Sequence, residues 1–146
     1  MANLTKDKIF ETTPRAGVGS YVATNGVTFY AGGLVGITAA GYLGKCADVA
    51  GMKFLGVLLE GVVGNTSASP PKEGHVDESG LTLLGVTVAS VAQSDVNALV
   101  YGTSDNSADL SLVAGSNTEA IGWVKRFISS GVADVQLFTP AEHQAL

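Results

Sequence analysis

The sequence predicts an all-β protein: a compact β-barrel or sandwich of short strands with an extended N-terminal arm. The first observation is that 19 glycines are spread through 146 residues and separate short runs of Val, Leu and Ile, which is typical of strands joined by tight turns. The second is that few segments have apolar residues at the spacing typical of an amphipathic helix. The clearest exception, residues 86–101, begins with β-branched residues that favour a strand.

The first 19 residues predict an arm rather than part of the core. They are polar and mixed in charge, and Ile9-Phe10 is their one pair of adjacent large apolar residues. The alternative is a frayed terminus, which is common in proteins. We expect the arm to span residues 1–19, a single β domain to span residues 20–140, and a loose tail to span residues 141–146.

Short apolar runs define six strands in the first part of the domain. They are predicted at residues 20–23, 27–31, 35–38, 42–46, 53–59 and 61–63. Asn25-Gly26 between the first two strands is a strong hairpin signal, and Gly32-Gly33 predicts a second turn. Residues 64–80 contain Pro70-Pro71, several serines and several charges without a strand pattern, so a loop inside the domain is predicted there.

The second part of the domain predicts five further strands. They are placed at residues 81–91, 99–101, 110–113, 120–128 and 132–138. Residues 93–97 predict one short helical turn, while residues 104–108 and 115–118 predict polar turns.

The two halves of the chain share a pattern. Each has a tyrosine-ended strand, a turn, a Gly-hydrophobic strand and a return strand. The first half runs through Tyr30, Gly56-Val57 and Gly61-Val62, and the second runs through Tyr101, Gly122-Trp123 and Gly131-Val132. Chance could produce this pattern in a chain rich in Gly and Val, and the alternative is an ancient duplication.

Charge and composition argue against several classes of partner. The net charge is −5 and the densest basic pair is Lys125-Arg126, whereas nucleic-acid binding usually leaves a basic stripe. The apolar runs are too short to span a bilayer, and the single cysteine forbids an internal disulfide. Charged residues make up 14% of the chain, well below the usual quarter, so we expect part of the uncharged surface to be buried against other chains.

Fragments that look catalytic or metal-binding are better explained as turns. Ser69–Lys72 matches S-x-x-K and Ser104–Asn106 matches S-D-N, but two prolines disfavour the helical turn that the first motif requires. The series Asp105, Ser107 and Asp109 resembles the start of a calcium loop, without the Gly and the closing Glu of that loop. These fragments therefore predict neither an enzyme nor a metal site.

The remaining candidates for chemistry are far apart in the sequence. Cys46, His75 and His143 are isolated from one another, so we expect neither a metal site nor a Cys–His nucleophile pair. No cofactor site and no small-molecule substrate are predicted. Tyr21, Tyr30 and Tyr42 are the residues that a glycan-binding face would use if they met on one sheet face.

Residues 86–137 contain a distinctive order of strands and turns. The order is a strand ending in Val100-Tyr101, a polar turn at 103–107, the strand Leu110-Ser111-Leu112, the turn Asn117-Thr118, the strand Gly122-Trp123-Val124, and a last strand after Gly131. This order resembles the capsid decoration (cement) proteins of tailed phages and prophages. The resemblance covers about residues 20–138, and residues 66–80 match no part of the family pattern.

The resemblance implies a non-enzymatic structural protein on the outer surface of the virion capsid, made in the host cytoplasm. Its partners would be the major capsid protein and two further copies of itself in a homotrimer, with no nucleic acid and no membrane. The family's N-terminal arm often reaches the shell or a neighbour, which points to Ile9, Phe10, Glu11, Thr12, Thr13 and Arg15 as interaction residues. The alternatives are a receptor- or glycan-binding β module of a virion or fibre, a small β-barrel enzyme whose site converges only in space, and another head or tail structural protein.

Overall fold

The computed structural model describes residues 17–146. Its strands are β1 (Val18–Val22), β2 (Thr28–Phe29), β3 (Leu34–Ile37), β4 (Leu43–Lys45), β5 (Lys53–Leu58), β6 (Val62–Val63), β7 (Glu73–Asp77), β8 (Thr82–Ala89), β9 (Leu99–Gly102), β10 (Leu110–Ser111), β11 (Glu119–Ser129) and β12 (Val132–Leu137). A 3-10 turn spans Gln93–Asp95, and a short helix, α1, spans Pro140–Gln144. The predicted all-β class and the helical turn near residue 95 are confirmed.

The second half of the chain forms a closed five-stranded barrel, which we call the C-terminal barrel. Its strands follow the order β10-β8-β12-β11-β9. All neighbours are antiparallel except β10 and β8, whose parallel pairing at Leu110–Val88 closes the barrel. Closure pairs the backbone N–H and C=O groups of the edge strands, which could otherwise pair with strands of other chains.

The first half forms a second five-stranded sheet in the order β1-β7-β5-β3-β4. A parallel bridge between Ala23 and Leu43 joins its two outer strands, and the Thr24 backbone N–H donates to the Leu43 carbonyl at 3.1 Å. The sheet therefore also curls onto itself, and we call it the N-terminal barrel. The pair β2 and β6 forms a separate two-stranded sheet.

Each barrel has its own buried cluster, and the two clusters meet along β3 and β5. Val35 and Leu55 belong to the cluster inside the N-terminal barrel. Their neighbours Leu34 and Phe54 belong instead to the cluster of the C-terminal barrel. Successive strand residues face opposite sides of a sheet, so these two strands contribute to both cores.

The predicted loop over residues 64–80 is wrong in part, because β7 lies within it. Val76 is fully buried, and Gly74 faces Leu43 and Leu58 so closely that a side chain there would collide with them. A strand with one large buried side chain lacks the apolar alternation by which strands are recognised.

Both predicted ends of the domain also differ from the structure. The arm was expected to run to residue 19, but Val18 and Gly19 already belong to β1 and pair with Asp77 and Val76 of β7. The tail after residue 140 was expected to be loose, but Pro140–Gln144 is helical and buries His143. Thr139 caps this helix, and Pro140 occupies its first turn. These are the ordinary signals of a helix start.

The Asn25-Gly26 signal predicts the turn correctly, but the hairpin pairing of the strands on either side of the turn is wrong. Residues 25 and 26 form a turn, yet β1 pairs with β7, and β2 pairs with β6. The Gly26 N–H donates to the Gly64 carbonyl at 2.9 Å, and the Gly64 N–H donates to the Val27 carbonyl at 2.9 Å. Contacts distant in sequence therefore override the local hairpin preference.

Candidate functional site

The predicted interaction residues lie outside the described part of the chain. These are Ile9, Phe10, Glu11, Thr12, Thr13 and Arg15, whose role stays a prediction. The described chain enters the N-terminal barrel beside β7, where the Gly17 carbonyl accepts from the Glu78 N–H at 2.6 Å. Tyr21 on β1 donates its hydroxyl to the Glu78 carboxylate, and burial together with this carboxylate raises the pKa of Tyr21.

A buried histidine joins the two barrels at the C-terminal end of the chain. His143 Nδ1 lies 2.9 Å from the Ala120 carbonyl oxygen on β11, and its Nε2 lies 2.7 Å from a carboxylate oxygen of Glu119. The ring also meets the edge of Phe54 on β5, with ring centroids 6.5 Å apart. Helix α1 therefore contacts β11 of one barrel and β5 of the other.

The Glu119–His143 pair resembles the orienting half of a catalytic triad, but both of its ring nitrogens are occupied. A carbonyl and a carboxylate only accept hydrogen bonds, so the pairing is complete when both nitrogens carry protons. A general base needs a free ring nitrogen facing its nucleophile. The arrangement thus supports a structural role for His143, which the sequence had placed in a loose tail.

Cys46 lies in the C-terminal barrel's buried cluster, at 1% exposure. Its thiol donates to the Gly102 carbonyl at 3.6 Å. Burial, followed by the negative charges of Glu119 and Asp105, raises the pKa of the Cys46 thiol to about 12. Since the thiolate is the reactive form, this environment opposes nucleophilic chemistry.

We expect Cys46 to resist thiol reagents in the native protein and to react as soon as the chain unfolds. At pH 8, labelling by a maleimide should be at least about a hundredfold slower in buffer than in denaturing urea, because the folded thiol is both buried and protonated. Stability should also fall as pH rises from 9 towards 12, because the unfolded thiol ionises first. Mass spectrometry after timed labelling measures the first effect, and rapid labelling of folded protein would contradict this assignment.

The Ser104–Asp109 segment, which resembled the S-D-N and calcium motifs, forms a polar turn between β9 and β10, whereas Ser69–Lys72 lies between β6 and β7. Ser104 Oγ donates to an Asp109 carboxylate oxygen at 2.9 Å and accepts from the Asn106 N–H at 3.1 Å. Asp105 instead faces Lys45, with 3.8 Å between the charged atoms. Within residues 17–146, no group of three or more His, Cys, Asp or Glu side chains is arranged to hold a metal ion.

A shallow cleft of about 310 Å³ lies at the seam between the two barrels. One wall is formed by residues 30–33 of the first half, and the other by residues 105–107 of the second half. Tyr30 is 66% exposed at its rim, and the Lys45 ammonium lies 5.7 Å from the centre of its ring. The other tyrosines of the predicted glycan face sit elsewhere: Tyr21 on β1, and Tyr42 just before β4.

Large apolar side chains stand exposed on both barrels and on the segments beside them. They are Val18, Tyr30, Tyr42, Val49, Leu59, Val63, Leu81, Leu84, Leu99, Val113, Ile128 and Leu146. The backbone next to Leu84 is held in place by the Asp134 carboxylate. This carboxylate accepts hydrogen bonds from the Gly85 N–H at 2.8 Å and from Arg126 Nε at 3.0 Å. This buried carboxylate fixes a bulge between β8 and β12.

The fold and surface together define an all-β protein with one closed five-stranded barrel, a second five-stranded sheet whose outer edges meet through a single bridge, and exposed apolar side chains. A comparison with known protein families, curated proteins and solved structures finds no match for this chain. Among residues 17–146, no helix has the length and apolarity needed to cross a bilayer.

Proposed function

We propose that this chain is a virion structural protein that decorates and stabilises the outer surface of the expanded capsid of a tailed phage by binding its major capsid protein. The observation that carries the proposal is the exposure of large apolar side chains such as Leu84 on β8 and Val113 after β10, each 75% exposed. Covering such side chains with another protein removes apolar area from water, which favours association. The low charge content and the family resemblance of residues 86–137 support the same function.

The proposed mechanism is selective binding to one state of the shell. A protein that binds the expanded shell and not its precursor favours the expanded state by its binding free energy. Burial of apolar surface contributes about 25 cal/mol per Å² before the costs of association. A homotrimer multiplies weak contacts through avidity, so each contact can be modest.

The N-terminal segment supplies the sharpest test of this function. Purified protein should co-sediment with expanded capsids of the phage that encodes it, and not with unexpanded precursor shells. Deleting residues 2–16 should leave the domain folded, because β1 begins at Val18, and should lower capsid occupancy about tenfold or more, since an arm that pairs with a shell edge would be lost.

A chain with residues 2–16 in reversed order is the matched control, since it keeps length, charge and composition. It should bind as poorly as the deletion if the contacts are specific. Undiminished occupancy of the deletion variant removes the arm from the mechanism. Failure of the wild-type protein to bind expanded capsids overturns the proposed function as a whole, as would its absence from purified particles by electron microscopy.

The cleft at Tyr30 favours one second candidate, a glycan- or receptor-binding module of a virion or fibre. An exposed aromatic ring beside carboxylate, amide and hydroxyl groups is a common way to hold a sugar, and Tyr30, Asp105 and Asn106 provide these groups. Binding to a glycan array without binding to capsids would select this function instead.

A further inference from the structure

The two barrels have the same strand connectivity. In each barrel the first strand along the chain pairs with the last, the last with the fourth, the fourth with the second, and the second with the third. The third then closes the circle by running parallel to the first. In chain order the barrels are β1, β3, β4, β5, β7 and β8, β9, β10, β11, β12.

The register of the central strands is also the same, including an irregularity at the same place. The N-terminal barrel has the pairs Leu34–Val57, Val35–Gly56 and Gly36–Phe54, with Leu55 skipped. The C-terminal barrel has the pairs Leu99–Trp123, Val100–Gly122 and Tyr101–Ala120, with Ile121 skipped. A matching bulge is a specific feature because bulges are conserved within families.

The glycines of these pairs occupy equivalent positions. A Cβ atom at Gly56 would overlap the Asp77 carbonyl oxygen, and one at Gly122 would overlap the Gln136 carbonyl oxygen, both well inside 3.0 Å. The repeated pattern predicted from the sequence is therefore confirmed at these two glycines. It is wrong at its tyrosines, because the register aligns Tyr101 with Gly36 rather than with Tyr30.

Equivalent faces of the two barrels differ in what covers them. The face of the N-terminal barrel formed by Leu34, Phe54 and Val57, which we call the Leu34 face, packs into the C-terminal cluster. Its equivalent on the C-terminal barrel is Leu99, Ala120 and Trp123, the Leu99 face. Leu34 is 1% exposed, whereas Leu99 is 38% exposed.

Other parts of the chain cover two of the three residues of the Leu99 face, and Ala120 is 8% exposed. His143 Nδ1 of α1 lies 2.9 Å from the Ala120 carbonyl oxygen. Trp123 packs against Phe138 with the rings tilted by 45° and their centroids 5.3 Å apart, and it stays half-buried. The apolar surface at Leu99 is thus left open within one copy of the chain.

The strands around the Leu34 face contact a definite part of the C-terminal barrel, the end of β9 and the loop after it. The Leu34 N–H donates to the Asp105 carbonyl at 2.9 Å, and the neighbouring Cys46 thiol donates to Gly102. The equivalent part of the N-terminal barrel is the end of β3 and residues 38–42, which we call the β3–β4 loop. This loop is largely exposed, with Tyr42 at 40%.

We propose that the Leu99 face of one copy docks on the β3–β4 loop of a second copy of this chain. The contact repeats, between chains, the one that joins the two barrels within a chain. Leu99 and the β3–β4 loop are both exposed in a single copy, so copies can add in sequence and close into a ring where the rotation permits. This self-association does not depend on the proposed role on a capsid.

Sedimentation velocity of the full-length protein tests the contact directly. The wild type should self-associate, and Leu99→Lys should raise the dissociation constant about tenfold or more by placing a charge in the interface. Leu84→Lys is the matched control, because it places the same charge at a more exposed leucine on β8, away from the face. A monomeric wild type, or an equal effect of the two substitutions, would overturn the proposal.

Paired cysteines give a second readout that stays valid if Leu99→Lys fails to fold. Leu99→Cys combined with Tyr42→Cys should form dimers and larger disulfide-linked multimers when oxidised with diamide, while each single variant should not. Cys46 is buried and should not take part. Dimers formed by Leu99→Cys alone would indicate a symmetric contact between two Leu99 faces and would refute the head-to-tail arrangement.

Discussion

Replacing Gly122 with alanine is expected to lower the free energy of unfolding by about 3 kcal/mol or more, and the Tm by roughly 10 °C. The added methyl would overlap the Gln136 carbonyl oxygen, which belongs to the backbone of β12 and cannot rotate away as a side chain could. Relief requires β11 and β12 to separate near the Gly122–Leu137 pair, with the loss of hydrogen bonds worth about 1 kcal/mol each. Urea denaturation followed by circular dichroism measures the change.

Alanine substitutions at two further glycines allow the loss of stability to be compared between positions. Gly56→Ala should destabilise by a similar amount, because it meets the Asp77 carbonyl in the same way. Gly61→Ala is the control, since its nearest neighbour is the Phe29 carbonyl at 3.3 Å and its backbone is not left-handed. A Gly122→Ala protein as stable as Gly61→Ala would show that β11 and β12 are not packed as described.

The sequence predicted most strands because their buried residues are large and adjacent. Residues 53–59 were assigned a strand and β5 spans Lys53–Leu58, where Phe54, Leu55 and Leu58 supply the apolar signal. β7 was missed because Gly74 and Val76 fill its inward positions, and a glycine is required there by Leu43 and Leu58. The requirement is set by partners 16 and 31 residues away along the chain, which no local pattern contains.

The candidate surfaces were less predictable than the strands. Leu34 and Leu99 are the same residue type at equivalent positions, and their different exposure follows from how the barrels pack together. Tyr30 and Asp105 meet at one cleft because the two halves are joined there. The helix α1 was predictable from Thr139, Pro140 and Glu142, whose capping arrangement is visible in the sequence.

Replacing His143 with alanine is expected to cost about 2–4 kcal/mol of stability, far more than an ordinary change in a terminal helix. The substitution removes the hydrogen bond to Ala120, the contact with Phe54 and the partner of Glu119. The Glu119 side chain is 19% exposed, so its carboxylate would remain largely desolvated without the hydrogen bond from the ring. Thermal and urea unfolding of the full-length variant measure the loss.

Gln144→Ala is the matched control for this prediction, because Gln144 is exposed on the same helix and its loss should cost less than about 0.5 kcal/mol. Glu119→Gln should fall between the two, since the amide oxygen can still accept from the ring. If His143→Ala were no more costly than Gln144→Ala, α1 would not hold β5 against β11. The contact between the barrels would then rest on the Leu34 face and on the bonds from Cys46 and Lys45 to residues 102–105, which is also the contact that the Leu99 face is proposed to repeat between copies.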